Sequence, residues 1–316
     1  MSTLIRTLVV GGAGFIGSHL VRALCEDGRR RVCVTGRRAT PTYGLPPSVE
    51  YVSASAADEA AMAVLLADTD EVIDLAYASV PKTSFDDPVH DVLANLPATV
   101  SLLRQAAAYP LRRFVLVSSG GTVYGNAMRL PIDEFHPTDP VSPYGITKLA
   151  AEKYAFLFHQ LASLPLIVVR PGNPYGPYQY GKLAQGFVGA AFHATVQRQK
   201  TVVFGQRGTV RDYIYVDDLA RGLVAALDHG RLGETYNIGT GIGYDNRAVL
   251  DMIDAVVCGD GYAVECEHRD PRSFDVAENV LSAARLTYVS GWRPCFDLRA
   301  GLEATWQWVK RQTVLA

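Results

Sequence analysis

Leu8-Val9-Val10-Gly11-Gly12-Ala13-Gly14-Phe15-Ile16-Gly17-Ser18 reads as the end of a strand, a glycine turn and the opening of a helix. Without a Cβ at Gly11 and Gly14 the backbone turns tightly and can approach a pyrophosphate, whose charge is favoured at a helix amino end. Gly17 lets the helix sit close to the strand. The spacing is GxxGxxG rather than GxGxxG, and its place between strand and helix gives it meaning. Gly11, Gly14, Phe15, Ile16 and Gly17 are therefore read as a dinucleotide loop.

Working outward, short apolar runs recur at Arg31–Val34, Val49–Val52, Glu71–Leu75, Phe114–Ser118 and Leu166–Val169. Between them lie Ala- and Leu-rich segments at Ser18–Glu26, Glu59–Leu66, Ala94–Ala108 and Tyr144–Leu161. Continuous apolar strands separated by helices indicate a parallel sheet covered on both faces. After Arg170 the texture changes. Pro171–Tyr178 is rich in Pro and Gly and reads as a loop leaving the sheet, and the later runs Val202–Phe204, Tyr213–Val216 and Glu234–Ile238 are shorter. The expectation is an α/β protein with a doubly wound parallel Rossmann sheet in residues 1–171. Segments near 210–240 return to it, and residues 172–316 form a smaller carboxyl-terminal substrate lobe.

The length of 316 residues agrees with about two domains at ~150 residues each. Lys+Arg 30 against Asp+Glu 32 leaves a net charge of -2, which excludes a protein built to grip phosphate backbones. At 48% hydrophobic and 20% charged residues the chain can fill a sizeable core. No run approaches the ~20 apolar residues of a membrane span, and Leu4–Val10 runs into the glycine loop without the cleavage site of a secretory signal. Five cysteines without CxxC spacing read as reduced thiols, and the seven histidines lack ligand spacing, so no metal is assigned. A cytoplasmic protein with neither nucleic acid nor membrane as partner is expected.

The second strand ends in Thr35-Gly36-Arg37-Arg38, where an NAD site usually has an acid to accept from the adenosine ribose. Thr35 and Arg37 leave both coenzymes open, since a guanidinium suits a 2′-phosphate. Further on, Tyr144 and Lys148 stand four residues apart and share a helix face, after the helix start Ser142-Pro143. A phenol with a pKa near 10 is a poor base at neutral pH, but a nearby ammonium and a cationic nicotinamide both favour its ionised form. Tyr144 can then take a proton from a substrate hydroxyl while a hydride leaves the same carbon.

These motifs, with Ser118–Gly125, Arg170–Gly176, Arg211–Asp218 and Tyr236–Gly239, make the chain resemble an extended short-chain dehydrogenase/reductase. The likeness is to the NAD-dependent epimerase/dehydratase family, nearest to UDP-hexose 4-epimerases, and it spans essentially the whole chain. It implies Tyr144 as catalytic base and Lys148 as its tuner and ribose ligand. The family hydroxyl four residues before the tyrosine of VYG falls on Gly120, a departure that leaves Thr122 as the preferred helper and Ser119 as the other candidate. The resemblance also implies substrate contacts from Asn173, Gln185, Phe204, Arg211, Arg272 and Asp275. Asn279 falls where some relatives close the sugar pocket with a bulkier group.

The resemblance implies a UDP-sugar substrate, a retained NAD or NADP, and C4 epimerisation of UDP-glucose, UDP-galactose or their N-acetylated forms. It implies a homodimer through the helices at 94–108 and 144–161. The rival readings are an NADPH-dependent 4-keto reductase and a catalytically silent dinucleotide sensor. Dehydration ranks low, because Gly120-Gly121-Thr122 offers no acid–base pair.

Overall fold

The computed structural model describes residues 4–179, 186–272 and 275–314. The chain begins β1 (Ile5–Val10), α1 (Phe15–Glu26), β2 (Arg30–Gly36), β3 (Glu50–Ser53), α2 (Glu59–Leu66) and β4 (Glu71–Asp74). It continues α3 (Pro81–Asp86), α4 (Pro88–Ala106), β5 (Arg113–Val117), α5 (Pro143–Ala162), β6 (Leu166–Pro171) and β7 (Asn173–Tyr175). Next come α6 (Phe187–Val196), β8 (Thr201–Phe204), β9 (Val210–Tyr215), α7 (Val216–His229), β10 (Glu234–Ile238) and β11 (Gly243–Asp245). The last elements are α8 (Asn246–Val257), β12 (Cys266–Arg269), β13 (Glu278–Asn279), α9 (Ala284–Ser290) and α10 (Leu298–Val314).

Strand alternation explains the layering. Val9, Val34, Ile73, Val115 and Ile167 point to one face of the sheet, where Leu20, Leu24, Leu219 and Leu223 of α1 and α7 cover them. Their neighbours Leu8, Val10, Val72, Phe114 and Val168 point to the other face, against α2, α4 and α5. Both faces are dry, so these strands read as unbroken apolar runs. The result is a parallel seven-stranded sheet of order β10-β6-β5-β4-β1-β2-β3, with β10 added beside β6 from late in the chain. Succession runs outward from β1 through β2 and β3, then reverses through β4, β5 and β6. The switch point between β1 and β4 is where an open α/β sheet binds its ligand.

A separate cluster around Tyr175, Phe192, Tyr213, Ile253, Leu302 and Trp306 forms the core of the later segments. Here one expectation fails. The Pro/Gly stretch after Arg170 is not wholly a loop, because Asn173–Tyr175 pairs with β9 in parallel register. β7 has a single neighbour, and an edge strand tolerates Pro174 because its missing N–H need not face a partner. The helix expected from Ala94 starts earlier, at Pro88, where Asp87 caps it by accepting from the His90 N–H at 2.8 Å. Among the described residues no helix is long and apolar enough to cross a membrane.

Candidate active site

The glycine loop and the segment after β4 meet at the switch point. Gly11 has φ +75°, and a Cβ there would lie 2.8 Å from the Ala76 Cα, so only glycine fits. At Gly17 a Cβ would sit 2.4 Å from the Gly12 carbonyl oxygen, which is how α1 packs so close to the loop. Gly14 differs. It caps α1 with no side-chain hydrogen bond, no acid stands in the first turn, and only the Gly11 carbonyl oxygen comes within 3.7 Å of its Cβ position. This leaves an open cradle of backbone donors, bounded by Phe15 and Ile16 and suited to a diphosphate.

Tyr144 and Lys148 lie in the first turns of α5, which starts at Ser142, whose hydroxyl accepts from the Gly145 N–H at 3.1 Å, with Pro143 as the first helical residue. Glu152 continues the same face. Its carboxylate takes both Nε and Nη2 of Arg170, at 3.0 and 2.6 Å, and so fixes the helix against β6. The Lys148 ammonium donates to the Val117 carbonyl at 3.0 Å, stands 4.0 Å over the Tyr77 ring and lies 5.9 Å from the centroid of the Tyr144 ring. The Tyr77 ring in turn meets Tyr144 edge-on, with centroids 4.9 Å apart.

The electrostatics follow from burial. It pushes the Lys148 ammonium down to about 8, against the pull of Asp74, Glu152 and Asp91. It pushes the Tyr144 phenol well above its ordinary value, and the charge of Asp91 adds to the effect. The Asp74 carboxyl, 3% exposed, is raised by its own burial to about 6, with the Ala76 N–H and Lys148 opposing. Asp74, Tyr77, Thr99, Ser118 and Lys148 share the wall of a cavity of about 10 Å³.

The loop after β5 holds the candidate hydroxyls. Gly120 donates to the Pro171 carbonyl at 2.8 Å, and its own carbonyl accepts from the Asn279 amide at 3.0 Å. A Cβ at Gly120 would lie 2.5 Å from Leu281 Cδ1 and 2.9 Å from the Arg170 carbonyl oxygen. The loop thus turns its missing side chain into the protein core. Asn279, 1% exposed, braces this loop through its side-chain N–H, while its Oδ1 has no partner. The Ser119 hydroxyl lies 3.9 Å from the Cβ position of Gly121, and the Asn173 amide lies 3.7 Å from it. Thr122 packs its carbonyl against Gly145, next to Tyr144.

Among the described residues, the buried polar atoms at this end of the sheet without a hydrogen-bond partner include Thr35 Oγ1, Tyr77 Oη, Ser118 Oγ, Thr122 Oγ1, Asn173 Nδ2 and Asn279 Oδ1. Buried polar groups are normally satisfied, so orphans gathered at strand ends mark where a ligand's polar atoms belong. Together with the glycine cradle, they fit a dinucleotide and a hydroxylated substrate.

The substrate candidates further along also meet. The Arg272 guanidinium stacks 4.1 Å over the Phe204 ring and pairs with Asp275 at 2.8 Å. Arg211 donates to the Val210 carbonyl at 2.8 Å and feels both Asp275 and Arg272, while burial lowers its pKa. Its chain neighbour Asp212 is not available to it, being occupied by the N–H groups of Thr240, Gly241 and Leu281. Gln185 lies outside the described residues. Sequence reading did not single out Asp74, Tyr77 or the Glu152–Arg170 pair. For Glu152 the signal was present, since it stands one more helical step of four beyond Lys148.

Residues 7–239 match the NAD dependent epimerase/dehydratase family. The UDP-glucose 4-epimerase of Mycolicibacterium smegmatis is 34% identical over 98% of this chain and 99% of its own. A putative UDP-glucose 4-epimerase of Methanocaldococcus jannaschii is 31% identical over 96% and 98%. Among solved structures, the UDP-glucose 4-epimerase of Thermotoga maritima with UDP-glucose superposes with a TM-score of 0.91 at 30% identity, covering 98% of this chain and 100% of that one. The UDP-glucose 4-epimerase of Thermus thermophilus in complex with NAD gives 0.87 at 32% identity, covering 97% and 99%.

Proposed function

The chain belongs to the NAD dependent epimerase/dehydratase family, and we propose that it inverts C4 of a UDP-hexose, its Tyr144 exchanging the proton of the 4-hydroxyl. The observation that carries this reading is the Tyr144–Lys148 face of α5 set at the strand ends beside the glycine cradle and the orphaned Thr122 hydroxyl. Bound NAD or NADP supplies the hydride acceptor and donor.

Gly11, Gly14, Phe15, Ile16 and Gly17 hold the coenzyme diphosphate, Thr35 and Arg37 meet the adenosine ribose, and Tyr144 and Lys148 meet the nicotinamide end. Tyr144 rests neutral because its ring is buried. A cationic nicotinamide bound there would favour the ionised phenol and let Tyr144 act as a base. Thr122 hydrogen-bonds the reacting oxygen, with Ser119 as the second hydroxyl on that loop. The same phenol returns the proton once the 4-keto sugar has presented its other face, so the cycle consumes nothing.

The sugar must turn while its diphosphate stays fixed. Arg211 suits that task because no carboxylate among the described residues pairs with it, and Arg272 is braced over Phe204 by Asp275. Asn173, whose buried side-chain N–H lacks a protein partner, completes the nucleotide contacts. The chain acts as a homodimer through α4 and α5, where Val89, Leu93, Ile146, Leu157 and Leu161 leave apolar side chains exposed. Light scattering that gives a monomer at micromolar concentration would remove the dimer. Incubation with UDP-glucose and with UDP-N-acetylglucosamine, without added coenzyme, tests the reaction. Interconversion with the C4 epimer is expected. Turnover only when NADPH is consumed identifies a reductase, and inertness toward every UDP-sugar identifies a silent sensor.

A further inference from the structure

Asp74 is a carboxylate in a layer built from apolar side chains. It closes β4 in register with Val10 of β1 and Leu116 of β5, both part of that layer. Two residues beyond Val72, it takes the same face of the sheet, the one that α4 and α5 cover. It accepts from the Ala76 N–H at 2.9 Å. A buried carboxylate is costly unless a cation or several donors meet it, and one N–H does not suffice.

The cation is at hand. Asp74 and Lys148 line the same cavity of about 10 Å³, the room of a single water, so nothing larger fits between them. An ammonium has three protons to place. One goes to the Val117 carbonyl, and the Tyr77 ring stands over the charge. The other acids nearby are committed elsewhere. Glu152, on the same helix, holds both arms of Arg170 from β6. Asp91 of α4 takes the Ser79 hydroxyl with one oxygen and leaves the other unpartnered, and its charge acts on the phenols of Tyr77 and Tyr144 as well as on the ammonium. Burial pushes the ammonium down, and Asp74 opposes this more strongly than Glu152 or Asp91 does. The effect is mutual, because Lys148 draws the Asp74 carboxyl down against its own burial.

We propose that Asp74 is a positioning residue for the reaction at Tyr144, the counter-charge that keeps the Lys148 ammonium protonated in a dry site. The inference deepens the proposed function and rests on the role given there to Lys148. A neutral lysine brings no positive charge to a phenolate, so the group that holds its proton sets the alkaline limit of the reaction. Asp74 takes its own proton at about pH 6, so its support is present above that pH and absent below it.

The ammonium and the turnover are read separately. The chain has six lysines, so lysine labelled with carbon-13 at Cε gives the full chain a short spectrum, in which Lys148→Met identifies the signal. Its titration midpoint should fall by about one pH unit in Asp74→Asn, and by clearly less in Asp91→Asn. In turnover of UDP-glucose, Asp74→Asn should match wild type near pH 6. At pH 8 it should be slower by about fivefold, the ratio of charged lysine for midpoints at about 7 and about 8. A substitution that only loosened packing would slow the reaction by one factor at every pH. Circular dichroism checks that the variants are folded. A midpoint in Asp74→Asn within ~0.3 of the wild-type value, an equal fall in Asp91→Asn, or a rate ratio constant from pH 6 to pH 8 overturns the inference. The NMR measurement needs no sugar chemistry: an unmoved midpoint removes the counter-charge, whereas wild type inert toward UDP-sugars removes the proposed function.

Discussion

Placing a serine at position 120, where the family hydroxyl is expected, should damage this protein and not improve it. The β-carbon of Gly120→Ser would fall 2.5 Å from Leu281 Cδ1, 2.9 Å from the Arg170 carbonyl oxygen and 3.1 Å from that of Pro171. None of these neighbours can easily give way. Leu281 is fully buried and its N–H is held by Asp212, while the two carbonyls belong to β6. Overpacking of this kind costs about 1–3 kcal/mol, and the added hydroxyl would point into the core. The neighbouring change, Gly121→Ser, is the control. Its β-carbon meets the Asn173 amide and the Ser119 hydroxyl at 3.7 and 3.9 Å, ordinary contact distances. Urea unfolding should therefore show a loss of about 2 kcal/mol for Gly120→Ser and a change within ~0.5 kcal/mol for Gly121→Ser. Unchanged stability with faster epimerisation in Gly120→Ser would refute the packing argument and the assignment of the helper role to Thr122.

Three further outcomes follow from single residues. Thr122→Val removes a buried hydroxyl that has no protein partner, so stability should hold or rise by up to ~1 kcal/mol while kcat falls about 10²-fold, measured by unfolding and turnover on one preparation. Glu152→Gln strips the carboxylate from a buried Arg170 and should cost about 3 kcal/mol in urea unfolding; a loss below ~1 kcal/mol would show that the pair does not hold α5 in place. Asp74 titrates near 6 in the folded chain against 3.8 as the ordinary value, so the folded state binds its proton more tightly than the unfolded state does. Between about pH 4 and 6 that preference is lost, and wild type should lose up to ~3 kcal/mol relative to Asp74→Asn. Unfolding curves for the two proteins that stay parallel across this window would contradict the shift.

Much of this was legible because it is local. The glycine spacing, the apolar runs and the four-residue step from Tyr144 to Lys148 each report a backbone periodicity, and the sheet and α5 follow. The gathering of Phe204, Arg211, Arg272 and Asp275 came through family resemblance, not from any spacing. What stayed hidden depends on residues far apart in the chain. Gly120 is small because Leu281 and β6 press on it, and its carbonyl is held by Asn279 from 159 residues away. Tyr77 becomes part of the site only because its ring lies over the Lys148 ammonium, and nothing in Leu75-Ala76-Tyr77 announces that contact. β7 was missed because its pairing with β9 is tertiary and overrides the turn chemistry of its Pro and Gly neighbours.

The central claim is that the Tyr144 phenol moves the proton while hydrogen leaves and returns at the same sugar carbon. It is tested most directly by incubating UDP-glucose deuterated at C4, without added coenzyme, with wild type and Tyr144→Phe, and following both epimers by proton NMR. Wild type should interconvert them with deuterium kept at C4, and the variant should be slower by about 10²–10⁴-fold. Undiminished conversion by Tyr144→Phe, or exchange of the C4 deuterium with solvent, would contradict it.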